Sequence, residues 1–477
     1  MKPRLLLTAL FTLIITGGAA QNSQVLYYMN LPQNHLLNPA LKPASRLYIG
    51  LPALSGINLN ITNNFFNFSD VFTEGLEISK STVAFLDPDF DRDKFLGKIK
   101  DLNYFSPEAS VQLLGLGLTV GDGLNLFLDI NDRAEVNLVV PGDLIRLAFL
   151  GNEEFIGQTL DLSDMRADFY YYREIGIGAS KNITPKLRFG AKAKLLFGIT
   201  AGTFQNYNMN LTVNSDNSNT LEANMALDIS GLDVNSGNQF EDFNLDEIKF
   251  HTGDGIDKFL TNTKNAGFGL DLGAEYTVND RIILSAAITD VGFIKWKDDI
   301  SNYEAVSKIN LSGVDFEDIY EGTATIDDLT SNMIDSLQSA FHHAGTNNPF
   351  TTKLPVGVAL GGKYILNDKF SIGILSYSRI TSQQIREALT LSANMNIGNR
   401  VSTSLCYTVC NNNYTNLGLG VGFRASVFQF YFIADRIPLS WKKAGTSGDS
   451  FPLPANWNTL QTRFGMNLVF GNKERNR

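Results

Sequence analysis

Apolar residues recur at every second position over stretches of about ten residues along most of the chain. Leu187, Phe189, Ala191, Ala193 and Leu195 alternate with Arg188, Gly190, Lys192 and Lys194. Phe268, Leu270, Leu272, Ala274 and Tyr276 alternate with Gly269, Asp271, Gly273 and Glu275. Leu417, Leu419, Val421 and Phe423 alternate with Gly418, Gly420 and Gly422, and Thr462, Phe464, Met466, Leu468 and Phe470 follow the same rhythm. One apolar face and one polar or glycine face is the pattern of a half-buried strand. A tilted strand crosses a bilayer in about 9–11 residues, and these runs have that length. Beyond the first twenty residues no uninterrupted apolar run reaches the roughly 18 residues of a membrane helix, so the pattern predicts strands throughout.

A soluble sandwich alternates in the same way, and the turns separate the two readings. Val278-Asn279-Asp280-Arg281, Leu366-Asn367-Asp368-Lys369 and Ile397-Gly398-Asn399-Arg400 are tight hairpin signals. Long connections lie between them, at 63–109, 134–165, 231–264, 297–354 and 436–458. Short turns at one end and long loops at the other predict an all-β fold, a transmembrane antiparallel β-barrel. Candidate strands run from 46–62 to 459–470 and number about 14. Two further runs, Phe204–Asn214 and Leu221–Ser230, would make 16. They read better as a hairpin that prolongs the 186–199 strand beyond the membrane. A repeat between Gly273–Arg281 and Gly361–Lys369 is explained by hairpins with the same turn chemistry.

The first twenty residues read as a signal peptide. Lys2 and Arg4 precede an apolar run from Leu5 to Ile15, and Gly18-Ala19-Ala20 offers small residues for cleavage before Gln21. The expected organisation is therefore signal peptide 1–20, N-terminal plug or hatch 21–45, barrel 46–470 and polar periplasmic tail 471–477, in the outer membrane of a Gram-negative bacterium. Composition agrees. Only 18% of the 477 residues are charged, below the roughly 25% of soluble domains, while 41 are glycine and 33 phenylalanine. The net charge of −10 argues against a nucleic-acid partner, and two cysteines cannot build a disulfide scaffold.

Candidate chemistry is sparse, and the chain is read as no enzyme, with no cofactor and no metal. The four histidines are His35, His251, His342 and His343, and no Gly-x-Ser-x-Gly elbow accompanies them. His342 and His343 end an amphipathic stretch (Leu329, Met333, Ile334, Leu337, Phe341) suited to packing a cap on the barrel mouth. Asp87, Asp89, Asp91 and Asp93 alternate, but Arg92 and Lys98 stand where a calcium loop needs glycine and glutamate, so a solvated acidic loop is expected. Cys406 and Cys410 lie four apart on one strand, about 13 Å, too far for a disulfide. Arg188, Lys192 and Lys194 cannot face lipid cheaply, so they should line the lumen near Asp271 and Glu275 of the next spanning strand. Residues 21–45 scatter Leu31, Leu36, Leu37 and Leu41 among amides and prolines without strand or helix period. Such a segment can fill a lumen, with Asn38-Pro39-Ala40 fixing a stiff turn against the wall and its amides pairing with Arg188 or Lys192. Removing it should leave the barrel folded and raise its conductance.

Tyr27-Tyr28-Met29, Leu31-Pro32-Gln33, Asn38-Pro39-Ala40, Tyr48-Ile49-Gly50-Leu51-Pro52 and Asp290-Val291-Gly292-Phe293-Ile294-Lys295-Trp296 resemble a family of uncharacterised outer-membrane barrels common in Bacteroidota. That family is distantly similar to the long-chain fatty acid transporter (FadL) barrels, in which 14 strands surround an N-terminal hatch. The Asn-Pro-Ala element is shared with this wider group. The resemblance implies a porin-like channel or carrier for a small hydrophobic ligand, set in outer-membrane lipid. An alternative that ranks behind it is a structural or accessory subunit docking other outer-membrane or secretion proteins, because FadL-like barrels serve both roles.

Overall fold

A computed structural model describes residues 18–19, 24–43, 45–67, 91–121, 123–216, 218–233, 249–250, 261–311, 342–343, 346–382, 384–398, 400–410, 413–437, 441–444, 451–454 and 458–472. The chain forms a closed antiparallel barrel of 14 strands. Strand β1 is in two pieces, Ser45–Gly50 and Ile57–Asn63. There follow β2 (Leu102–Val120), β3 (Leu124–Pro141), β4 (Arg166–Asn182) and β5 (Leu187–Val213). Next come β6 (Asn265–Thr277), β7 (Ile282–Trp296), β8 (Val356–Ile365), β9 (Phe370–Ile380) and β10 (Ile385–Ile397). The ring ends with β11 (Val401–Cys410), β12 (Asn413–Ala425), β13 (Phe428–Ala434) and β14 (Thr459–Asn472). It closes where β14 pairs with both pieces of β1, Leu47 opposite Phe470 and Ile61 opposite Leu460.

The tight turns gather at one end. Asn279 Oδ1 accepts from the amides of Arg281 and Ile282, both at 2.9 Å, and Asn367 does the same for Lys369 and Phe370. These side chains mimic a turn of backbone and fix the hairpin register. Gly398, at φ +54°, supplies the left-handed residue between β10 and β11.

At the other end β2 and β3 run further than the sequence pattern indicates, so the connections are 64–101 and 142–165 rather than 63–109 and 134–165. Their upper halves carry buried polar residues such as Asn103, Glu108, Glu135 and Asn137, which blur the alternation. The Phe204–Asn214 and Leu221–Ser230 runs are an extension, as expected. β5 continues to Val213, pairs with Asn219–Ser230, and that strand pairs with Ile300–Leu311. Leu147 of a helix at Gly142–Leu150, Leu211, Leu221, Met225 and Tyr303 give this extension its own apolar core.

The alternation puts apolar side chains outside. Phe189, Leu195, Phe268, Ile374, Leu391, Leu405, Phe423, Phe430 and Phe432 are all exposed around the barrel. Inside are Lys192, Lys194, Asp271, Ser392, Ser404 and the glycines of β12. Both cysteines are free and buried. Asp91 accepts from Lys94 N at 3.0 Å, capping the short helix Arg92–Leu96. Asp87, Asp89 and the 329–341 stretch lie outside the described residues.

Candidate functional site

The barrel interior contains the N-terminal segment. Gln24–Tyr28 forms one helical turn with all five residues buried, and Pro32–Leu36 forms a 3-10 turn. Hydrogen bonds fasten this segment to walls on several sides. Val25 N donates to Asp435 Oδ1 just past β13 at 2.8 Å. The Tyr27 hydroxyl donates to Ser285 of β7, and that of Tyr28 bonds the carbonyls of Gly362 and Ile374 on β8 and β9. Asn30 N donates to Ser402 of β11, Thr390 of β10 donates to Gln24, and Gln33 exchanges two hydrogen bonds with Asn467 of β14. Val25, Leu26, Met29 and Leu31 meanwhile pack with Ala359, Leu375, Cys406 and Ile433 in one buried apolar cluster.

Glycines in the wall make room for this packing. A Cβ at Gly420 would stand 2.5 Å from Val25 Cγ1, and one at Gly418 would stand 2.8 Å from Val25 Cγ2. Gly190 and Gly273 are cross-strand partners on β5 and β6, and the Asn38-Pro39-Ala40 turn rests on them. A methyl group at Gly190 would overlap the Pro39 carbonyl, and one at Gly273 would overlap Asn38 Oδ1. The turn is closed internally, since Asn38 Oδ1 accepts from Ala40 N at 2.9 Å. Asn38 Nδ2 donates to the Tyr27 hydroxyl and to the Ala286 carbonyl.

Strands β2 to β7 and β9 carry a connected set of buried charges. Lys192 of β5 pairs with Glu174 of β4 at 2.7 Å and Asp129 of β3 at 3.3 Å. Lys194 pairs with Asp271 of β6 at 2.8 Å and Asp290 of β7 at 2.6 Å. Arg133 of β3 joins Asp290 at 2.9 Å and reaches Glu174 and Glu108. Arg379 of β9 then joins Glu108 and Glu135. Each charge is desolvated, and only the density of partners makes that tolerable.

Of the residues singled out from sequence, Lys192, Lys194 and Asp271 come together in this network. Glu275 stands opposite Arg188 in the β5–β6 register. One expectation is corrected: among the described residues the segment's amides do not pair with Arg188 or Lys192. Arg188 bonds Ser180, Asn182 and the Gly123 carbonyl, while Lys192 is taken by two carboxylates. Two carboxylates in its own wall hold the Lys192 ammonium by charge, and a neutral amide competes poorly with them. The segment meets the network instead through His35, whose Nε2 lies 2.8 Å from Asp129 Oδ2, a contact the sequence reading missed. The signal was present: His35 is the one histidine in the segment, and Asp129 interrupts an alternating strand on its inward face. Two cavities beside the segment each offer about 20 Å³, room for about one water.

These features define a class, a 14-stranded barrel with its own N-terminal segment held inside. The chain belongs to a family of unknown function (DUF5723), whose model matches residues 39–435. No curated protein matches it. Among solved structures it is similar to a Pseudomonas aeruginosa FadL homologue, at 11% identity and TM-score 0.41, covering 95% of this chain and 98% of that one. It is also similar to the Ralstonia pickettii toluene transporter TbuX, at 10% identity and TM-score 0.40, covering 96% and 100%. The Pseudomonas putida toluene transporter TodX follows at 10% identity and TM-score 0.37, covering 95% and 98%.

Proposed function

We propose that the protein sits in the outer membrane of a Gram-negative bacterium and acts as a channel or carrier for small hydrophobic molecules, with residues 21–45 as its plug. The outward belt of Phe, Leu and Ile supports the location, because a ring of such residues is stable against lipid and not against water. The observation that carries the function is the seating of the segment. Its apolar side chains occupy a trough of glycines and small residues on the β8–β13 side, while the β3–β7 side holds fixed charges. Moving the segment exposes an apolar surface of its own length inside the barrel, a path on which a small hydrophobic molecule could be passed.

The test is entry of the apolar dye N-phenylnaphthylamine into whole cells. Cells making the protein should take up the dye faster than vector controls, and equal rates would leave the transport reading without support. A docking role in an assembly or secretion complex is favoured by one separate observation, the extension beyond the barrel with an apolar core of its own. Affinity purification from the outer membrane would then return stoichiometric partner proteins.

A further inference from the structure

The lumen is closed a second time, on the long-loop side of the N-terminal segment, and by the barrel walls themselves. Glu108 and Glu135 stand directly opposite each other on β2 and β3. Arg379 and Arg386 stand directly opposite each other on β9 and β10. Each like-charged pair is unfavourable within its own wall. The two pairs lie half the ring apart and meet across the lumen. Arg379 donates to Glu108 at 2.9 Å and pairs with Glu135 at 2.5 Å. Arg386 donates to Ser106 and Asn137 at 3.0 Å each, with its guanidinium 3.9 Å from the Tyr104 ring centroid. Tyr104 and Val139 share a buried cluster with Ala388 and Cys410 of β10 and β11.

A round barrel of this strand number, with strands about 4.8 Å apart and tilted by about 40°, would be about 25–30 Å across between backbones. Arginine and tyrosine side chains together span about half of that. The ring is therefore flattened at this level, and none of these contacts involves residues 24–43.

We infer that this four-charge clasp is a gate distinct from the plug, so that displacing the plug alone does not open the barrel. The inference rests on the channel reading for its use, but its geometry does not. It also revises the sequence-based expectation that losing the segment suffices to raise conductance. Opening requires the β2–β3 and β9–β10 walls to part, which takes Arg379 away from both of its carboxylates and leaves Glu108 with Arg133 of its own wall alone. The closed state is thereby favoured until an ionic partner or movement of the outer loops compensates.

The two native thiols report on the two closures, because Cys406 lies in the segment's cluster and Cys410 in the clasp's cluster. The experiment uses full-length chains in planar bilayers and labelling with a charged methanethiosulfonate. Gly420→Leu, which unseats the segment, should expose Cys406, leave Cys410 protected and give no conductance steps. Adding Glu108→Arg and Glu135→Arg should expose Cys410 and bring steps. Adding Arg379→Glu and Arg386→Glu to that variant restores complementarity and should silence the barrel and protect Cys410 again. Heat-modified gel mobility confirms folding of each variant. Conductance with Cys410 labelling in Gly420→Leu alone would overturn the inference, as would failure of the charge swap to reclose the barrel. A failed dye-uptake experiment would remove the transport reading and leave these outcomes unchanged.

Discussion

Replacing Gly420 by alanine tests whether the glycine face of β12 exists to seat the N-terminal segment. The three nearest atoms to a Cβ at this position all belong to that segment: Met29 Sδ, Val25 Cγ1 at 2.5 Å and Met29 Cε at 3.2 Å. Carbon contacts settle at about 3.5–4.0 Å, so Val25 has to retreat by about 1 Å. It cannot do so by turning, because a β-branched residue in a helical turn has essentially one rotamer and its amide is tied to Asp435. Overpacking of this kind costs about 1–3 kcal/mol. Against it, alanine in a strand interior is better than glycine by about 0.5–1 kcal/mol. The full-length protein should therefore lose about 0.5–2 kcal/mol. In a Val25→Ala, Met29→Ala background the obstacle is gone, and the same substitution should gain about 0.5–1 kcal/mol. The coupling, about 1–3 kcal/mol, is read from a double-mutant cycle of urea unfolding in lipid vesicles followed by tryptophan fluorescence. An equal shift in both backgrounds would mean that Gly420 does not touch the segment, and the seating of the segment in this trough would be wrong.

Lys192→Met should destabilise the protein in the same assay, by less than the about 3–5 kcal/mol of a fully unpaired buried charge because Arg133 still reaches Glu174 and His35 still meets Asp129, and adding Glu174→Gln should recover part of the loss. Leu195→Arg, on the exposed outer face of β5, should cost about 2–4 kcal/mol if the belt meets lipid near the midplane, and no penalty would argue against a bilayer setting. Spin labels at 189 and 192 should show the stronger lipid-phase quenching at 189, and the reverse order would invert the strand. Recovery of the protein in a periplasmic fraction without detergent would refute the outer-membrane assignment.

Alternation made the barrel legible, because the one apolar face per strand demanded by an outward belt leaves a period of two in the sequence. Even the prolonged hairpin at Phe204–Ser230 could be read, since its strands keep that period. The interior was legible only as a list of inward positions. Lys192, Lys194 and Asp271 were recognisable because a charge on a strand with an apolar face must point inward. Which charge meets which is set by strand tilt and by the cross-section of the ring, and neither leaves a trace in local sequence. Arg188 shows the limit: it sits two residues before Gly190 on the same face, yet it bonds its hairpin neighbours rather than the segment. The glycines of β12 show another. Gly418, Gly420 and Gly422 signal a strand without an inner side chain, but only the position of Val25, Met29 and Leu31 shows what fills the space. The clasp lies furthest from reach, because Glu108 and Arg379 are 271 residues apart in the chain. Within either wall its charges look like an error, two acids or two bases side by side. Their sense appears only when opposite walls of the barrel are brought together.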